Sequence, residues 1–256
     1  MQQQFSLEGK TALVIGASNP IGRAIAVALA EAGADVGVAT TTTAHNETVL
    51  VNSCANEIWA LDRKHFAHTM NADDESDVEG VVAHAVAEFG RADILVNSHD
   101  LPFAKPTVET SYEEWRTVID TNLGGVFLAS KAAAREMLKH GWGRIINVAS
   151  VLGERGLING AAYCAAEAGV LNLTRALALE WARSGIKVNA IGAGWTEGMG
   201  MIGGEEGRQQ LERYLPYKRL AKPEEISGAA VYLASEAADY LTGQVVWIEG
   251  GALSHV

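Results

Sequence analysis

Cysteine, proline and positive charge are all scarce in this 256-residue chain. The two cysteines, Cys54 and Cys164, have no CxxC partners, which argues against a disulfide framework or a thiolate zinc site. Both read as interior free thiols. His65 and His68 alternate on a strand and only superficially resemble metal spacing, so no metal site is expected. Lys and Arg total 20 against 31 Asp and Glu, a formal net charge of −11. With no basic run, the chain lacks the clustered cations that nucleic-acid phosphates require. No apolar run approaches a membrane span. The opening "MQQQFSLEGK" has neither the basic nor the apolar region of a signal peptide. The expectation is a cytoplasmic protein that binds neither nucleic acid nor membrane.

What the chain has in quantity is alternation. Short β-rich runs ("TALVIG", "DVGVAT", "HFAHTM", "ADILVN", "GRIINV", "IKVNAI", "QVVWIE") recur between stretches with apolar residues at three and four spacing. Several strands are nearly continuous apolar runs, as parallel strands covered on both faces should be. The helical stretches are "IGRAIAVALAEAG", "DVEGVVAHAVAEFG", the long run at 113–139, the run at 163–183 and "PEEISGAAVYLASEAA". Most end at or near glycine, a stop signal. Such alternation predicts a doubly wound α/β fold of about seven parallel strands with helices on both faces. No linker or composition shift divides residues 1–256, so one domain is expected. The segment 194–207, "GWTEGMGMIGGEEG", reads as a long glycine-rich loop of the kind that covers binding sites. Trp195, Met199, Met201 and Leu215 give that region an apolar character.

The first strand runs through a glycine turn into a helix, "LVIGASNPIGRAIA". Such a turn aims helix N-terminal N–H groups at a pyrophosphate. The spacing is not the ordinary GxGxxG. It resembles instead the GxxxGxG turn of the short-chain dehydrogenase/reductase (SDR) family, with Gly16 and Gly22 at its ends. The resemblance runs over almost the whole chain. "DILVN" resembles the strand ending in that family's NNAG, "IDTNLGGVF" carries its helix asparagine as Asn122, and "GRIINVASV" carries its serine as Ser150. Tyr163 follows at the usual interval, and "YLTGQVVWIEGG" resembles the last strand and double glycine.

Membership would imply a Rossmann-type domain that uses NAD or NADP on an alcohol or ketone. By resemblance Tyr163 is the general acid/base, Ser150 holds the substrate oxygen and Asn122 orders a water in a proton relay. Cofactor contacts fall on Gly16, Ser18, Pro20, Ile21, Gly22, Thr40, Asn97 and His99. The family commonly oligomerises through the helices at 113–139 and 163–183.

Four departures qualify this. The family's lysine, four residues after the tyrosine, is Glu167. Residues i and i+4 share a helix face, so a carboxylate stands where a cation would favour tyrosinate. Pro20 replaces a glycine and offers a phosphate no N–H. "NSHD" at 97–100 stands in place of NNAG, so His99 and Asp100 put bulk and charge beside the cofactor. Ala193-Gly194 replaces Pro-Gly. Thr40, Thr41 and Asn19 mark neither NAD nor NADP preference. The losses fall together, which points to a catalytically degenerate subunit that supports an active SDR partner in a hetero-oligomer, with weak cofactor binding. The alternative is an active NAD(P)-dependent alcohol dehydrogenase or carbonyl reductase with a non-standard site, using Tyr163 and Ser150 and recruiting Glu167 or the titratable His99.

Overall fold

The computed structural model describes residues 2–200 and 203–254; Met201 lies outside the described residues. Strands and helices alternate along the chain: β1 (Thr11–Ile15), α1 (Pro20–Glu31), β2 (Asp35–Thr40), α2 (His45–Ala60), β3 (His65–Thr69), α3 (Glu75–Phe89), β4 (Ile94–Asn97), α4 (Tyr112–Ile119), α5 (Gly125–His140), β5 (Gly143–Ser150), α6 (Ala161–Trp181), β6 (Ile186–Ala193), α7 (Gly204–Tyr214), α8 (Glu224–Ala234) and β7 (Val245–Ile248). The seven strands form one parallel sheet in the order β3-β2-β1-β4-β5-β6-β7. The order reverses between β1 and β4, which opens a crevice beyond their carboxyl ends.

Strand side chains alternate between the two faces. Val14 and Val96 join α1, α2 and α8 in one core, while Leu13, Ile15 and Leu95 join α3, α5 and α6 in the other. Burial on both faces explains why β1 reads as an unbroken apolar run with all five residues buried.

Two helices were not legible in the pattern. Polar Asn, Thr and Ser residues interrupt α2, yet Val51, Cys54, Ala55 and Ile58 form a buried stripe at helical spacing. The segment expected as loop through residue 207 turns helical at Gly204, and α7 carries Glu205 and Glu206 in its first turn, where they meet the positive end of the helix dipole. The long helical run at 113–139 is α4 and α5 joined by a π-helical turn at Asp120–Gly124. Such turns recur at functional sites, and this one contains Asn122. Of the two thiols, Cys54 is buried as expected, but Cys164 is half-buried. Among the described residues, no helix is long and apolar enough to cross a membrane, and no cluster of three or more His, Cys, Asp or Glu could hold a metal ion.

Candidate active site

The crevice at the switch point is lined by Ile21, by Ser98 to Asp100, by Val148 to Leu152, by Tyr163 and Glu167, and by residues 193–196 with Met199 and Gly200. One end is the glycine turn. Gly16 has φ +92°, and a Cβ there would lie 2.3 Å from the His99 backbone nitrogen. The turn therefore packs backbone to backbone against the chain leaving β4, which only glycine allows. Gly22 is required for the same reason, since a Cβ on it would meet the Gly16 carbonyl oxygen at 2.3 Å. Asn19 caps α1, its side chain accepting from the Gly22 N–H at 2.8 Å, while its amide donates to the Ser98 carbonyl. Sequence reasoning saw Asn19 only as a missing cation; it ties the turn to β4. Pro20 is the first residue of α1, where the N–H has no intrahelical partner in any case and the fixed φ suits the helix. The turn forms normally and forfeits a single donor toward a phosphate. At the far side of the turn, the Ser18 and Thr40 hydroxyls pair at 3.1 Å.

The other end is the reactive cluster. Tyr163 and Glu167 are both 6% exposed on one face of α6, as the i,i+4 spacing requires. Glu167 Oε2 accepts from the Ser150 N–H at 2.7 Å, pinning α6 to the end of β5. Tyr163 shares the crevice lining with Asp100 and Ser150. The Ser150 Oγ also accepts from the Leu152 N–H at 3.1 Å.

Burial is the largest influence on every titratable group here. It lifts Glu167 to about 8, with Asp100 adding to the rise and the Ser150 N–H opposing it. It lifts Asp100 to about 6, against the hydrogen bond from Tyr163. Burial, then the charges of Glu167 and Asp100, push Tyr163 well above its ordinary value of 10. All three groups are pushed toward their protonated forms, Glu167 further than Asp100. The sign expected from the sequence is correct for the tyrosine, although desolvation outweighs the Glu167 charge.

Three candidates have roles other than those expected. His99 is buried and depressed to about 4, with only a bond to the Thr121 carbonyl opposing, so it is not a group that titrates near neutrality. Asn97 does not line the crevice. Its side chain donates to Asn147 at 2.9 Å and to Ser130 at 3.3 Å, inside the core. Asn122 spends both amide atoms on Leu101, accepting from its N–H at 2.8 Å and donating to its carbonyl at 3.1 Å. Its side chain thus holds the backbone one residue beyond Asp100. Asp100, which in the sequence marks only bulk and charge near the cofactor, lines the crevice together with Tyr163. Its place directly after a strand at the crevice was the signal available.

The residues fit a dinucleotide unevenly. The turn end suits a phosphate in its close backbone approach at Gly16, although Asn19 already takes the Gly22 N–H of α1. At the opposite end no Lys or Arg is among the described residues lining the crevice. The Asp100 and Glu167 carboxyls stand there instead, as acceptors for ribose hydroxyls.

Comparison with known proteins gives a consistent result. The model of a family described as enoyl-(acyl carrier protein) reductase matches residues 16–252. The chain is 36% identical over 255 residues to 2-dehydro-3-deoxy-D-gluconate 5-dehydrogenase of Dickeya dadantii (strain 3937), covering 98% of each. It is 38% identical over 249 residues to the 3-oxoacyl-(acyl-carrier-protein) reductase FabG of Salmonella typhimurium, covering 96% of this chain and 98% of that protein. Among solved structures, a gluconate 5-dehydrogenase from Burkholderia cenocepacia J2315 in complex with NADP and tartrate superimposes with a TM-score of 0.90 at 30% identity, covering 100% of this chain and 99% of that one. A short-chain type dehydrogenase/reductase from Mycobacterium marinum gives 0.87 at 34% identity, with 97% of each chain covered. With its doubly wound parallel sheet, its crevice at the β1/β4 switch point and these full-length likenesses, the chain belongs to the short-chain dehydrogenase/reductase family of oxidoreductases.

Proposed function

We propose that this protein is itself an NAD(P)-dependent oxidoreductase that interconverts an alcohol and a carbonyl. The observation that carries the reading is the placement of Tyr163, Ser150 and Asp100 together on the crevice lining, with burial lifting the Asp100 carboxyl to about 6. A proton-transfer group serves best with a pKa near the working pH, and Asp100 meets that condition where the family's lysine is missing. A nicotinamide, when bound, supplies the hydride acceptor or donor. During alcohol oxidation the substrate O–H proton passes to the Tyr163 oxygen as the Tyr163 proton passes to Asp100, so no free tyrosinate is needed. Ser150 orients the substrate oxygen, and Asn122 fixes the backbone that positions Asp100. The relatives named above as dehydrogenases and reductases support activity over degeneracy.

Calorimetric titration with NAD+, NADH, NADP+ and NADPH tests the reading. At least one is expected to bind in the micromolar range, and turnover of simple secondary alcohols is expected to fall steeply in Tyr163→Phe. Failure of all four to bind overturns it. That result would favour the second reading, a subunit that supports an active SDR partner. The lost phosphate donor at Pro20, the missing cation in the crevice and the exposed Phe127, Leu138 and Leu179 on α5 and α6 are the observations on its side.

A further inference from the structure

We propose that Glu167 and Thr174 clamp α6 to the strands beneath it, and that this clamp sets the height of Tyr163 against Ser150. Glu167 is then a positioning residue, where the family carries a lysine. This deepens the oxidoreductase reading and rests on it. The upper rung is at the crevice, where Glu167 Oε2 accepts from the Ser150 N–H at 2.7 Å. Strand β4 pairs with β5 only as far as Asn147, whereas β6 pairs with β5 through Ser150. The end of β5 therefore has no strand neighbour on one side, and α6 supplies the acceptor that a backbone N–H there needs. The lower rung is in the core. Thr174 Oγ1 accepts from Asn147 Nδ2 at 2.9 Å and donates to the Val170 carbonyl of its own helix at 2.8 Å. Asn147 Oδ1 accepts in turn from Asn97 Nδ2 at 2.9 Å, and Asn97 and Asn147 are register partners on β4 and β5. All four side chains are buried.

The two rungs match in length. Residues 167 and 174 lie two helical turns apart, about 10.5 Å along α6. Residues 150 and 147 lie about 10 Å apart along β5. The helix runs down as the strand runs up, so both rungs close at once, and a slide of α6 along its axis breaks both. Tyr163 stands one turn above Glu167. Ser150 and Asp100 each lie three residues beyond an asparagine of the lower rung. The clamp thus joins α6, β5 and β4, the elements that bring Tyr163, Ser150 and Asp100 to the crevice. Lysine offers only donors, so it cannot accept from the Ser150 N–H. The carboxyl at residue 167 forgoes electrostatic help to the tyrosine and fixes its position, where a misplacement of about 1 Å can cost about 10²-fold in rate.

Variants at both rungs test the clamp, with saturating nucleotide and a secondary alcohol at pH 7. Glu167→Ala should lower kcat by about tenfold or more. Glu167→Gln keeps an acceptor for the Ser150 N–H and should recover most of that loss. Glu167→Lys restores the family's residue and should not. Thr174 does not line the crevice, yet Thr174→Val should lower kcat by about threefold or more, the worth of one hydrogen bond, with KM and nucleotide Kd unchanged. Thr174→Ser keeps the hydroxyl and should restore kcat. Ile58→Val, a core change on α2, controls for simple destabilisation and should leave kcat as it is. Hydrogen exchange gives a readout independent of turnover: the Ser150 amide should exchange slowly in the parent and Glu167→Gln, and fast in Glu167→Ala and Glu167→Lys. Parent-like turnover in Glu167→Lys overturns the inference, as does parent-like kcat in Thr174→Val or fast exchange at Ser150 in the parent. If no nucleotide binds, the oxidoreductase reading fails and this inference with it; if alcohols turn over but Glu167→Lys matches the parent, only this inference fails.

Discussion

The two ends of the crevice obey different rules. At the glycine turn, shape is dictated by backbone sterics: Gly16 at φ +92° and Gly22 against the Gly16 carbonyl leave no room for a Cβ. Pro20 is accommodated because it changes a donor and not the path of the chain. At the reactive end the backbone places Tyr163, Ser150 and the residue at 167 around one crevice, but the charge is set by side chains. Geometry survives there while the electrostatics are reversed from those of the family's lysine. A fold can hold catalytic positions in place long after their chemistry has been rewritten.

The contrast can be broken hardest at the tyrosine. Tyr163→Phe removes the hydroxyl proposed to pass a proton between substrate and Asp100, and kcat/KM should fall by about 10²- to 10⁴-fold, the range of general acid–base contributions. In the unmodified enzyme, steady-state rates of alcohol oxidation should rise through an apparent pKa of about 6 as Asp100 ionises. Asp100→Asn should abolish that rise. A flat profile in the unmodified enzyme would remove Asp100 from the proton path.

At the other end, Gly16→Ala combines a positive φ with a backbone clash at 2.3 Å. It should cost about 3 kcal/mol in urea denaturation, and nucleotide affinity should be lost with it. If the variant is as stable as the parent, the turn is more pliant than its contacts indicate.

Glu167→Gln separates charge from geometry. The folded pKa of about 8 lies above the ordinary glutamate value of 4.5, so between those pH values the folded state holds a proton that the unfolded state has released. Stability from this group is complete below about pH 4.5 and declines as pH rises to 8. The glutamine variant should therefore match the parent near pH 4.5 and exceed it above pH 8, by on the order of 5 kcal/mol. Denaturation curves at pH 5, 7 and 9 show this directly; equal curves at pH 9 would mean that folding does not raise the Glu167 pKa. The smallest effect is at Cys54. Burial lifts its thiol to about 12, so a disulfide reagent should leave it unmodified in the native protein and label it on unfolding.

Much of the architecture was legible because it is repetitive. Seven strand runs were read and seven strands are present, since double-sided burial makes each one conspicuously apolar. Helix α2 escaped because its buried stripe, Val51, Cys54, Ala55 and Ile58, is diluted by polar residues on the solvent side. Helix α7 escaped because its described residues include none that is buried, so it carries no apolar stripe to read. At the site, Tyr163 and Glu167 could be paired from spacing alone. His99 and Asn97 could not be placed, because the direction a side chain takes after a strand depends on what packs above it. The Thr121 carbonyl claims His99 and the core claims Asn97.

The sequence by itself determined the sheet, the phosphate-facing turn, family membership and the replacement of a cation by a carboxylate at residue 167. These follow from local spacing and residue type, which do not depend on distant parts of the chain. Only the tertiary structure decided how far each carboxyl is displaced from its ordinary range. Burial lifts Glu167 to about 8 against the bond from the Ser150 N–H, and lifts Asp100 only to about 6. The degree of desolvation separates the two, and desolvation depends on every element packed around a group.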